Sequence, residues 1–302
     1  MQARASSTTQ AYQRAFQKWK DWALGHTKVS VLPATPHCLS LYLIHLANSA
    51  SSFSVINSAI CGVAWAHKLS GLDSPAESVL VRETLAGLKV QLAKPRQPKD
   101  PFQVDHINRL FIMMVRTDLT DVRNVALMGL SFYAFLRFDD VARLKVCNIT
   151  LHSTHVEISI EKAKNDQLRQ GNVVVIAKRE QHCPVAVLQL YMQLAELQVA
   201  SDNFLFRRVV NVGSAKRLHI SRQPLKYSNV RDIVKAKALS LGLTPASFGT
   251  HSLRAGGCSA AANAGVSDRL FQRHGRWASV AAKDGYVTDS LESRLSVTQC
   301  IV

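Results

Sequence analysis

Acidic side chains are scarce in this sequence. Asp and Glu number 21 against 37 Lys and Arg, which leaves a formal charge of +16 and an isoelectric point near 9.9. On a folded chain such an excess favours polyanionic partners, because neutralising phosphates releases condensed counterions. A basic surface that only keeps the chain in solution is the plainer reading. An apolar run long enough to span a bilayer is missing, and so is a secretory signal pattern, so the chain reads as soluble and intracellular, with no membrane partner. The six cysteines, Cys38, Cys61, Cys147, Cys183, Cys258 and Cys300, include no CxxC pair. That spacing suits reduced, buried thiols and argues against both a disulfide frame and a thiolate zinc module. Internal repeats and low-complexity tracts are absent. Hydrophobic residues are plentiful, at 47% of 302 residues. That is enough to bury the core of one large domain or two ordinary ones.

Apolar periodicity divides the chain. Thr8 or Thr9 is a candidate cap for a helix with Tyr12, Phe16, Trp19 and Ala23 on one face, and Gly25 suits its end. Thr35 and Pro36 make an N-cap and first-turn pair for a second helix through Leu46. Ser54 is a candidate cap for a third, with Ile56, Ile60 and Val63 inward. Val81, Leu85, Leu88 and Leu92 give a fourth at i, i+4, i+7, i+11. The segment Ala93 to Phe102 follows, with Pro95, Pro98 and Pro101 among Lys94, Arg96 and Lys99. Three prolines in seven residues cannot continue a helix. The stretch reads as a basic linker, suited to a phosphate backbone or simply to solvent. Beyond it, helices are expected from Asp105 to Val115 and from Leu119 to Phe135. Val156, Ile158 and Ile160 alternate with polar residues, as in a half-buried strand. Asn172 to Ile176 reads as the partner strand, across a polar turn from Lys162 to Gly171. Helices resume at Pro184–Leu197, at Ser228–Leu241 and from Thr250 onward. The layout is mainly α with one small β-sheet: a helical domain over 1–93, a linker over 94–102 and a larger domain over 103–302.

Four segments carry chemistry. In Thr250-His251-Ser252-Leu253-Arg254, Thr250 is placed to cap a helix that His251 begins. His251 and Arg254, three apart, share a face near its N-terminus, which favours anions. Taken alone, such a pair is most often a solvated helix end. In Gln272-Arg273-His274-Gly275-Arg276-Trp277, with Tyr286 nine residues beyond Trp277, each aromatic by itself reads as core. Arg137 follows an apolar helix, and Asp140 is spaced to hold its guanidinium, although a surface ion pair is the plainer reading. Lys164, with Lys162 as the alternative, sits on the polar turn, where a lysine ordinarily faces solvent.

Together these segments resemble the tyrosine recombinase, or phage integrase, family over about Gln103 to Ser296. Arg137 matches the family's first Arg, with Asp140 at its usual acidic position. Lys164 matches the hairpin Lys, His251 and Arg254 the His-x-x-Arg, Trp277 the His/Trp position and Tyr286 the nucleophile. Trp277 stands where many members have His, and some active members use Trp. The first ~95 residues resemble the family's helical core-binding domain. The Gly-Arg-Trp and Asn-Asp-Gln segments look most like recombinases of eukaryotic DIRS-like or Crypton-like mobile elements, which would act in the nucleus. Only 16 residues follow Tyr286, so a long C-terminal exchange helix is expected to be short or missing.

The resemblance implies a SAM-like core-binding domain joined to an α+β catalytic domain, and a site-specific recombinase acting on double-stranded DNA. Tyr286 would attack a phosphorus, form a 3′-phosphotyrosyl link and release a 5′-hydroxyl. Arg137 and Arg254 would stabilise the charge on the non-bridging oxygens. His251 would accept or orient the tyrosine proton, and Lys164 would protonate the leaving oxygen. Trp277 would pack under the phosphate and offer its indole N–H, with Asp140 behind Arg137. No metal, cofactor or small-molecule substrate is implied, and four protomers would assemble on two DNA sites. Arg14, Lys18, Lys94, Arg96 and Lys99 are the candidate phosphate contacts. The alternatives are a transposon-derived DNA-binding protein that no longer cuts and a type IB topoisomerase-like enzyme. Hydrolase chemistry from His251 and Ser252 is poor, because no Gly-x-Ser-x-Gly elbow is present.

Overall fold

Helices dominate the computed structural model, which describes residues 6–95, 98–160, 172–221 and 223–301. The chain divides into two compact units, Met1–Gln97 and Pro98–Val302. Among its described residues the first holds four α-helices. α1 (Ser6–Leu24) buries Ala15, Trp19 and Ala23 along one stripe, as its periodicity requires. Thr8 and Thr9 lie inside this helix and do not cap it, because it begins a turn earlier than its apolar pattern. α2 (Pro36–Ala47) starts as the sequence predicts: the Thr35 hydroxyl accepts from the Cys38 N–H at 3.2 Å, with Pro36 in the first turn. α3 (Phe53–Leu69) is preceded by Ser52, not Ser54, and buries Ile56, Ile60 and Val63. α4 (Val79–Gln91) is capped by Ser78 and buries Val81 and Leu88. Trp19 is fully buried, and its indole N–H donates to the Val31 carbonyl at 2.9 Å.

In the second unit, α5 (Val104–Met113), α6 (Leu119–Tyr133) and α7 (Phe138–Arg143) come first. An antiparallel sheet follows, in the order β1 (Ile149–Leu151), β2 (His155–Ile160), β3 (Asn172–Ala177). Then come α8 (Pro184–Leu194), a separate hairpin of β4 (Val209–Val212) and β5 (Ala215–Leu218), and α9 (Tyr227–Ser240). The unit closes with α10 (Thr250–Asn263), α11 (Asp268–Gly275), α12 (Val280–Asp284) and α13 (Leu291–Gln299). The sequence leads one to expect a single sheet, whereas two are present. β1 is too short to alternate, and β4–β5 is mostly exposed, so neither leaves a period-2 signal. None of the described helices is long and apolar enough to cross a membrane.

α6 is the axis of this unit. Val122, Val125, Leu127, Met128, Leu130 and Phe132 are all buried, so it is apolar on nearly every side. α8 and α10 pack on it. α10 approaches closely at Gly257, where an added Cβ would lie 2.0 Å from the Phe132 carbonyl oxygen. The second half of the proline-rich stretch is not a free tether. Asp100 N–H donates to Ser247 O at 2.8 Å, and Phe102 N–H to Ser252 O at 3.0 Å. The Lys99 ammonium donates to the Ala246 carbonyl. Full burial of Phe102 against Phe248, with ring centroids 4.6 Å apart, fixes this strap to the second unit.

Gly257→Ala is expected to destabilise the protein by about 1–3 kcal/mol, because the added methyl meets backbone that cannot turn away. Urea denaturation followed by circular dichroism measures this, and an unchanged midpoint would show that α10 can shift.

Candidate active site

The site grows from the C-terminal end of α6. A helix leaves its last carbonyls without intrahelical partners and carries partial negative charge there. The chain reverses at Phe135 in the left-handed region (φ 48°), a place usually given to glycine. Leu136 N–H closes back on Ser131 O at 3.1 Å. Burial of the Phe135 ring against Phe271, His274 and Trp277 offsets the backbone strain. Three carbonyls then face inward, and each is claimed by a side chain from later in the sequence. Tyr133 O accepts from His274 Nε2 at 2.8 Å, and Ala134 O from Arg276 Nη1 at 3.3 Å. Phe135 O accepts from Arg254 Nη1 and from Arg276 Nη2.

Arg254 is completely buried on α10. Its second terminal nitrogen donates to Gly275 O at 2.8 Å, so one guanidinium joins the ends of α6 and α11. Burial first, and then the nearby Arg137 guanidinium, pull its pKa down to about 10. α10 is capped at Gly249, and Thr250 is its first residue, not its cap. The Ser252 hydroxyl accepts from the Gly249 N–H at 3.0 Å, so the start of α10 is tied by a side chain from inside its first turn and not by one at the cap.

α11 ends at Arg276, which is itself left-handed (φ 57°, ψ 46°). This reversal folds the Trp277 ring over Gly275, where a Cβ would lie 1.7 Å from the ring. Arg276 was not anticipated as a site residue. Its side chain is nearly inaccessible and pairs with Asp140 at 2.9 Å. Asp140 therefore does not grip the Arg137 guanidinium as expected. Its carboxylate accepts from the Arg137 backbone N–H at 3.0 Å and neutralises Arg276 instead. The Gly-Arg-Trp segment was the only sequence signal, and a buried arginine cannot be told from an exposed one by composition.

Aromatic rings bring the remaining residues together. The Arg254 guanidinium carbon lies 4.5 Å from the Trp277 ring centroid and 4.8 Å from that of Tyr286. Tyr286 is half-buried between α12 and α13, with its ring 5.9 Å from Trp277 and 6.4 Å from His251. Arg254, Trp277, Tyr286 and His251 thus form one cluster, with Arg137 close enough to Arg254 to depress its pKa. Lys164 and Lys162 lie outside the described residues, as does Arg96. Arg14 and Lys18 are exposed on α1 beside a groove with Tyr42 and Val55, and Lys94 and Lys99 are exposed.

The electrostatics are lopsided. Arg137, Arg254 and Arg276 share one buried carboxylate, Asp140. Three of their donor atoms and that of Trp277 are the deciding group: Arg137 Nη1, Arg254 Nε, Arg276 Nε and Trp277 Nε1 are buried with no protein partner among the described residues. Unpaired buried donors are costly, which marks this cluster as one built to receive an oxyanion. Cys258, beside Arg254, is held protonated by burial, its pKa pushed up to about 12.

Comparison with known proteins gives a consistent result. Residues 102–292, more than half the chain, match the Phage integrase family. The chain is 26% identical to the integrase/recombinase xerD homolog of Selenomonas ruminantium over 278 residues, covering 91% of this chain and 79% of that protein. It is 22% identical to the Cre recombinase of Escherichia phage P1 over 284 residues, covering 90% and 80%. Among solved structures, the Tn1549 transposon integrase in complex with transposon right-end DNA has a TM-score of 0.67 at 13% identity, over 100% of this chain and 96% of that one. The XerH recombinase bound to palindromic difH substrate, in its post-cleavage complex, has a TM-score of 0.66 at 16% identity, over 97% and 78%. At these identities the structural likeness is one of fold.

Two outcomes test the architecture. Arg276→Met leaves Asp140 charged, buried and unpaired, and is expected to cost about 3–5 kcal/mol in denaturant unfolding. The His274 pKa is lowered from 6.5, mainly by burial, with the Tyr133 carbonyl opposing. A depressed pKa gives stability that is complete above the unfolded value and lost as the pH falls toward the folded one. The stability gap between wild type and His274→Gln is therefore expected to narrow from about pH 7.5 to about pH 5. A gap independent of pH would contradict this account.

Proposed function

This chain belongs to the phage integrase family of tyrosine recombinases, which cleave and rejoin DNA strands, and we propose that Tyr286 is the nucleophile of its reaction. The observation that carries this reading is the set of unpaired buried donors on Arg137, Arg254 and Trp277, of which Arg254 and Trp277 lie against the Tyr286 ring and Arg137 stands beside Arg254. The Tyr286 oxygen attacks a DNA phosphorus, an O–P bond forms, and the bond to the 5′-oxygen breaks. The product is a 3′-phosphotyrosyl link and a 5′-hydroxyl. The link keeps the phosphodiester's bond energy, so religation needs no ATP.

Each residue has a physical task. Charge accumulates on the non-bridging oxygens in the transition state. Arg137 and Arg254 donate to them from fixed positions in a low-dielectric setting, where such donors act most strongly. Trp277 adds its indole N–H, which donates but does not exchange a proton. His251 accepts or orients the proton leaving Tyr286. Lys164, by resemblance to the family's hairpin lysine, protonates the departing 5′-oxygen. Arg276 and Asp140 do not meet the phosphate in this scheme: they hold Arg137 and the end of α6 in place.

The net charge of +16 suits double-stranded DNA as the partner. We further assign the 1–93 unit as a core-binding domain that clamps the duplex, with Arg14, Lys18, Lys94, Arg96 and Lys99 on phosphates and four protomers on two sites. The resemblance of the Gly-Arg-Trp and Asn-Asp-Gln segments to DIRS-like and Crypton-like enzymes supports a mobile-element recombinase working in a nucleus.

The test is a nicked suicide substrate carrying candidate element ends, resolved on a denaturing gel. Wild type is expected to give a covalent protein–DNA adduct and Tyr286→Phe none. Arg137→Ala is expected to slow adduct formation by roughly two orders of magnitude, or about 3 kcal/mol of barrier. An adduct that persists in Tyr286→Phe would assign the nucleophile elsewhere.

A further inference from the structure

The register of the three-stranded sheet gathers three metal-ligating side chains on one face, away from the active-site cluster in sequence and in element. β1 and β2 pair with Thr150 opposite Glu157 and Leu151 opposite Val156. The turn closes through His152 N–H on His155 O at 2.9 Å. Period-2 alternation sends Val156 and Ile158 into the core and leaves His155 and Glu157 outward. His152, directly across from His155, joins them. The two imidazoles stack with centroids 4.3 Å apart and planes 14° from parallel. The Glu157 carboxylate reaches both: Oε2 lies 3.7 Å from His152 Nε2 and Oε1 lies 3.6 Å from His155 Nε2.

We infer that His152, His155 and Glu157 form a surface site for a divalent ion of the zinc class. Two imidazoles and one carboxylate are a donor set zinc accepts, with the remaining position open to water. Ligand atoms around a tetrahedral ion at zinc–ligand distances of about 2.0–2.1 Å lie about 3.3 Å apart. The two histidine–carboxylate separations are a few tenths of an ångström wider, and one donor atom from each residue falls within 4.8 Å of the other two, so small side-chain rotations would close the set on an ion. A second observation concerns the tautomer. The Thr154 hydroxyl meets His155 Nδ1 at 3.0 Å, which leaves Nε2, the nitrogen facing Glu157, as the ligand atom. The cross-strand neighbours on this face, Thr150, Val175 and Ala177, carry no charge to oppose a cation. An ion here would clip the β1–β2 turn to β2.

Chelator-treated full-length protein is titrated with ZnCl₂ by calorimetry, and Co²⁺ is used as a visible-absorption probe of coordination. Wild type is expected to take up one ion that the His152→Ala/His155→Ala double variant does not. Glu157→Gln and Thr154→Val are expected to weaken uptake by at least tenfold and by about tenfold respectively. All four positions are at the surface, and thermal melts in the presence of chelator confirm that the variants fold alike. Uptake unchanged in the double variant would overturn the assignment, and so would wild type that binds neither Zn²⁺ nor Co²⁺ at micromolar concentrations.

Discussion

The carbonyls left over at the end of α6 organise the second unit. A buried helix end must find donors elsewhere, and here water is excluded by Phe135, Phe271 and Trp277. The donors come from residues more than a hundred positions later: Arg254, His274 and Arg276. The same contacts therefore close the fold and gather the active site. Cationic groups suit this position twice over, as hydrogen-bond donors and as charges at the negative end of a helix.

Burying Arg254 and Arg276, with one nitrogen of Arg137 buried beside them, against one carboxylate would be unfavourable if stability were the only demand. Arg276 is matched by Asp140, while Arg254 has its pKa pulled down and retains an unpaired nitrogen. In the reaction proposed above this imbalance has a use: an arriving oxyanion would restore charge balance and supply the missing acceptors together. Preorganisation of this kind lowers the barrier because the donors need not reorient as charge develops.

Much of this was legible in the sequence, for identifiable reasons. Long amphipathic periods located the cores of α1 to α6 and α8 to α10, and strict alternation located β2. The order and spacing of Arg137, His251, Arg254, Trp277 and Tyr286 pointed to residues that the fold does bring together, because the family ties residue types to positions along the chain. The helix starts were less legible, since Thr8, Ser54 and Thr250 are good capping residues that sit just inside their helices. Ser52 and Gly249 precede two of those helices because packing, not local propensity, sets where the first turn closes. Arg276 is not legible because its importance is created by burial, and spacing along a helix suggests Arg137 as the partner of Asp140 because it cannot see one 136 residues away. The strap at 98–102 read as a linker because its prolines speak louder than the one phenylalanine that anchors it.

The double duty of Arg254 has an evolutionary consequence. On the mechanism proposed above, a lineage that ceased to cut DNA would be free to discard Tyr286, which is half-buried at the edge of the Phe135, Phe271 and Trp277 cluster. It would not be free to discard Arg254, whose guanidinium ties α6 to α11. The buried arginine would outlive the chemistry as a fossil of it. Among descendants of such a chain, retention of the arginine would report only that the scaffold still folds, and retention of the tyrosine would be the sign that the proposed chemistry is still under selection.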